Sequence, residues 1–107
     1  MSSIAEIYEI RFKSGEDLQW LLAQSREVFD LLFEIPAKVK EFFREEPWLA
    51  LVPAFGGQEY IGVIIKTYKD VPDALKALDE FDNWWIEACY STGCTSILVA
   101  TEYYSKE

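Results

Sequence analysis

Histidine is absent from this chain of 107 residues. That removes the commonest general base and the commonest metal ligand, and it rules out a Cys/His nucleophile pair. Cysteine is scarce as well: Cys89 and Cys94 are too few for a disulfide scaffold, and their separation is not the C-x-x-C spacing of a redox motif. Both are expected to behave as small buried hydrophobes in a reducing compartment. No stretch approaches the roughly 20 apolar residues that a membrane-spanning helix needs. Met1-Ser2-Ser3 begins no basic, apolar leader. The expectation is a cytoplasmic protein without a membrane partner. Bases are also few, 10 Lys and Arg against 19 Asp and Glu, for a formal net charge of −9. Phosphate backbones and anionic lipids are repelled by such a surface, so direct nucleic-acid binding is not expected. Basic proteins are attracted by it. Solubility alone is the plainer reading of the same acidity.

What is present is enough to fold. Half the residues are hydrophobic and 16% are aromatic, which suits one domain over residues 1–107 and not a disordered acidic tail. Residues 4–13 alternate, with Tyr8, Ile10 and Phe12 opposite Glu9, Arg11 and Lys13, as in a half-buried strand. Ser14 is placed to cap a helix, with Asp17 three residues on, and Leu18, Leu21, Leu22, Val28, Phe29 and Leu32 follow at helical spacing. Pro36 should interrupt that helix, leaving a second short piece as far as about Glu45. Residues 48–54 and 59–68 read as two strands around a Gly56-Gly57 turn, and Pro53 suits the earlier one to a sheet edge. Asp70 or Val71 opens a long helix whose inner face is Leu75, Leu78, Phe81, Trp85, Ala88 and Cys89. Gly93 should stop it, and residues 94–103 alternate as a last strand.

The order β-α-β-β-α-β predicts an α+β, ferredoxin-like sandwich: a four-stranded antiparallel sheet with two main helices on one face, the first interrupted at Pro36. A barstar-like or other small α/β layout is the alternative. An uncovered sheet face would carry Glu9 and Arg11 from the first strand and, from the third, either Tyr60, Ile64, Lys66 and Tyr68 or the alternative register, flanked by Trp48 and Tyr104. A face this rich in aromatics suits a small ligand or a homodimer, although cross-strand packing explains the aromatics too.

One stretch stands out. Between Asp70 and Glu87 six acids face a single base, Lys76, on a helix that also carries Trp84-Trp85. Asp73, Asp79, Glu80, Asp82 and Glu87, with Trp84 as an apolar anchor, are the candidate protein-binding residues. Such a face would mimic a phosphate chain and meet a basic protein partner, as an inhibitor, antagonist or immunity protein does. The alternative is a dimeric ligand-binding or regulatory domain using the open sheet. Catalysis is not expected: exposed helical carboxylates stay solvated, and nothing apolar surrounds one of them in the pattern. The D-x-D-x-D-G calcium loop is missing, and Gly56-Gly57 lacks the lysine of a phosphate loop, so neither metal nor cofactor is expected.

Overall fold

The computed structural model describes residues 4–12, 14–53, 60–93 and 96–105. In chain order the elements are α1 (Ile4–Ile7), β1 (Tyr8–Ile10), α2 (Gly15–Leu22), α3 (Arg26–Phe43), β2 (Leu49–Val52), β3 (Ile61–Thr67), α4 (Val71–Thr92) and β4 (Ile97–Tyr103). The strands form one four-stranded sheet in the order β1-β2-β3-β4. β1 runs parallel to β2, β2 antiparallel to β3, and β3 parallel to β4.

The class is therefore α+β, with a mixed sheet in place of the antiparallel one expected. In a ferredoxin-like sheet each crossover skips a position, which the other unit's strand fills. Here each crossover returns to the neighbouring position, so the paired strands are parallel and β2 and β3 lie at the centre. Burial favours this order. All seven residues of β3 are buried, as are Leu49, Ala50 and Leu51 of β2, so both strands need neighbours on either side. β2 is thus internal, not an edge; Pro53 follows its last residue and costs the ladder nothing. The Gly56-Gly57 turn lies outside the described residues.

The helical break also moves. α2 is capped by Ser14, whose Oγ accepts from the Asp17 amide at 3.4 Å. It ends at Leu22, and Ser25 caps α3 in the same way through the Val28 amide at 3.5 Å. α3 then continues through Pro36 to Phe43. Proline has no N–H, so the Leu32 carbonyl lacks its usual donor four residues on. The hydroxyl of Tyr8 supplies one, donating to Leu32 O at 2.5 Å from within the core. A side chain from the sheet thus replaces the hydrogen bond whose loss argued for a break. At the amino end the expected strand is shorter, because residues 4–7 form a helical turn ahead of it.

α4 begins as expected: Asp70 accepts from the Asp73 amide at 3.2 Å, Pro72 sits in the first turn, and Gly93 closes the helix at φ 70°. Its inner line is Ala74, Ala77, Phe81 and Trp85; Leu75 is exposed and belongs to the outer surface. Tyr8, Leu49, Leu51, Ile61, Val63, Ile65 and Ile97 from one sheet face pack with α3 and α4, so both long helices cover the same side. Among the described residues no helix is long and apolar enough to cross a membrane.

Candidate functional site

Helical geometry divides the α4 acids into separate groups. With Ala77, Phe81 and Trp85 inward, Asp73, Glu80 and Glu87 recur every two turns along one flank. That flank faces α3. Near the start of α4, Asp73 and Glu80 border a cleft of about 250 Å³ shared with Phe42, Arg44, Lys69 and Lys76. Further along, Trp84 and Glu87 line a groove of about 330 Å³ with Leu31 and Glu34 of α3. Asp82 lies on the other flank, and Asp79 is outermost. The six predicted residues do not form one patch; the structure brings Trp84 and Glu87 together and separates them from Asp79 and Asp82.

Trp84 is half-buried and held in place. Its ring meets Phe81 edge-on at 5.5 Å and approaches Trp85 at 5.9 Å. The ammonium of Lys38 stands 5.6 Å from its ring centroid, a cation–π contact from α3. Tyr90, by contrast, is 91% exposed at the outer surface. Glu34 is the residue that sequence reasoning missed. It lies on a different helix, and only the α3–α4 packing places it beside Trp84.

Charge accounts for the rest of this surface. Among the described residues no base lies within ion-pair distance of Asp73, Asp79, Glu80, Asp82 or Glu87; the ion pairs are made by Glu9, Glu41, Glu46 and Glu102. Burial pushes the Asp82 carboxyl above its ordinary value, and the neighbouring charge of Asp79 adds to the effect. Arg44, Lys69 and Lys76 temper the field around Asp73 and Glu80. Among the described residues no base lines the Trp84 groove, and Lys38 stands over the indole.

The sheet face away from the helices is crossed by ion pairs at its middle, and at one end Trp48, Lys66 and Tyr68 line a groove of about 430 Å³ with Glu45, Glu46 and Pro47. Lys66 Nζ lies 2.8 Å from Glu9 Oε2. Arg11 sits 3.0 Å from Glu9 and spans from β1 to the opposite edge strand, donating through both terminal nitrogens to Glu102 at 3.0 and 3.1 Å. Tyr104 donates its hydroxyl to Glu102, and its ring lies 4.5 Å from Trp48, over which Lys66 Nζ also stands at 4.8 Å. The carboxyl of Glu9 is held below the usual range by hydrogen bonds from Lys66 and then Arg11, and that of Glu102 by Arg11. Beneath these groups Ile64 is only 7% exposed, whereas Tyr60 and Tyr68 remain open at the two ends of β3. Among the described residues, no group of Cys, Asp and Glu side chains is arranged to hold a metal. Cys89 is half-buried, and Cys94 lies outside the described residues. Compared with protein-family models, curated proteins and solved structures, the chain has no significant match.

Proposed function

We propose that this is a small non-enzymatic protein that binds and inhibits or regulates a basic protein partner, in the manner of an immunity protein or antagonist. The observation behind the reading is that five acids of α4 have no ion pair among the described residues, while Glu9, Glu41, Glu46 and Glu102 elsewhere are matched by Lys and Arg. Unmatched surface carboxylates steer a cationic partner and raise its association rate more than its final affinity. Affinity would come from the Trp84 groove. There a rigid aromatic already packed on Phe81 loses little freedom on binding, and Glu34 and Glu87 receive the partner's cations. Asp73 and Glu80 contribute less in this scheme, because Arg44, Lys69 and Lys76 share their cleft. The sheet-face reading has less behind it, since Ile64 is only 7% exposed and, of the three residues it names, Tyr68 alone lines a groove.

Affinity capture tests the proposal. The immobilised protein is incubated with a lysate of its native host at low and high salt, beside a Glu34→Lys/Glu87→Lys variant, and retained proteins are identified by mass spectrometry. A basic protein should be retained by the wild type at low salt, and released by high salt or by charge reversal. Retention of the same proteins by both forms, indifferent to salt, would overturn it.

A further inference from the structure

β4 is an edge strand. β3 pairs with it along its whole length, from Ile97 to Tyr103, and among the described residues no strand pairs with its other side. Natural edges are usually kept from pairing by lysine, proline, a bulge or extreme shortness. β4 is seven residues long and has neither lysine nor proline; its only charge, Glu102, is turned across the sheet to Arg11. A row of backbone donors and acceptors is therefore left open to another chain.

The surface beside this edge is not neutral. α3 links β1 to β2 and α4 links β3 to β4, so the flank of α4 away from α3 borders β4. That flank exposes Val71, Leu75 and Ile86, with Asp82 between them and Asp79 alongside. We propose that the β4 edge takes up an extended, basic segment of a partner protein as a fifth strand, whose cations on the helix-facing side meet Asp82 in the field of Asp79 while their aliphatic stems lie along Leu75. In such strand addition the main-chain ladder supplies affinity and the alternating side chains supply specificity. A second copy of this chain is the competing occupant. It would bring another nine net negative charges and, by antiparallel pairing about β4, set each pair of aspartates near its own image. The inference rests on the basic-partner reading and adds how that partner is held.

Three labelled peptides of about ten residues test it: alternating lysine and valine, the same sequence N-methylated at alternate amides, and alternating glutamate and valine. Binding is read by fluorescence anisotropy at low and high salt, with amide hydrogen exchange across residues 97–103. The lysine peptide alone should bind, weaken with salt, and slow exchange in β4. Leu98→Lys, at an exposed position, should abolish binding without unfolding the protein, and Asp79→Asn/Asp82→Asn should weaken it roughly tenfold, or about 1.4 kcal/mol. Equal binding of the N-methylated peptide overturns strand addition and leaves the basic-partner reading standing. Failure of the lysine peptide to bind at low salt overturns strand addition too, while lysate capture on the Glu34/Glu87 surface still decides the wider reading. A dimer by light scattering, with β4 protected in the absence of peptide, makes the occupant a second copy and overturns the inference.

Discussion

β1 and β4 close the two sides of the same sheet by different means. β1 has three residues and little ladder of its own, yet it and the residue after it are tied down by side chains. Tyr8 reaches into α3, Glu9 meets Lys66 on β3, and Arg11 extends to Glu102 on the far edge. β4 has seven residues, all paired with β3, and to that ladder it adds Ile97 in the core and the link from Glu102 to Arg11. A short edge strand held by side chains offers almost no free backbone to a newcomer, whereas a long one held by its ladder offers a full row. Under the proposed strand addition, the difference puts recognition at β4 and rigidity at β1.

The comparison breaks most severely at Tyr8. Removing its hydroxyl leaves the Leu32 carbonyl without a donor in the core, because Pro36 has no N–H to offer. Tyr8→Phe should cost about 1–3 kcal/mol in urea unfolding, the usual penalty for an unsatisfied buried polar group. Pro36→Ala restores an amide four residues beyond Leu32, so the same Tyr8→Phe change should cost less in that background. Equal costs in both backgrounds would show that the hydroxyl does not stand in for the missing amide.

Tyr8 also explains why part of the fold was legible and part was not. The caps at Ser14 and Asp70 and the stop at Gly93 are local signals, and the structure carries each of them. Pro36 is a local signal too, but its effect was cancelled from 28 residues away by a contact that no window of sequence contains. Strand order failed for a similar reason. A β-α-β-β-α-β chain is compatible with crossovers that skip a strand and with those that do not. The clue lay in β2, which is apolar on both faces; the shortness of β1 was hidden, because residues 4–13 alternate as a longer strand would. The acidity of α4 was plain from its residues, while the Trp84 groove depended on Glu34, contributed by α3. On the sheet face the alternation put Glu9 and Arg11 together but left open which side of β3 they share; opposite charge on Lys66 was the readable hint of the register that the structure adopts.

A milder disruption sharpens the contrast from the side of β1. Arg11→Met removes the link between the two edges while keeping the aliphatic stem. The pair is partly exposed and screened by solvent, so the loss should be about 0.5–1 kcal/mol at low salt and smaller at high salt. Acid should reveal it more clearly. Glu9 and Glu102 both lie below the ordinary 4.5, so their contribution is present above that value and lost as pH falls toward their folded-state values. Unfolding measured between about pH 6 and pH 3 should therefore decline less steeply in Arg11→Met than in the wild type. Parallel declines would mean that Arg11 does not set the protonation of Glu102.

The smallest effect belongs to the β4 side and has the opposite sign. Asp82 is raised above its ordinary 3.8 by burial and by Asp79, so its folded form favours the proton. Its contribution is fully present below 3.8 and is lost as pH rises through the elevated value, which leaves the ionised carboxylate a burden at neutrality. Asp82→Asn should therefore stabilise the protein at pH 7 by less than about 0.5 kcal/mol, and the gain should vanish near pH 3. The same substitution should weaken capture of a basic strand, since the charge it removes is the one placed beside the open edge. A residue kept at a cost to stability and needed for binding is expected of a recognition surface, and a purely solubilising one has no reason to show that trade. If Asp82→Asn changed neither stability nor peptide binding, the two edges would differ in length alone, and the α4 flank would add nothing to β4.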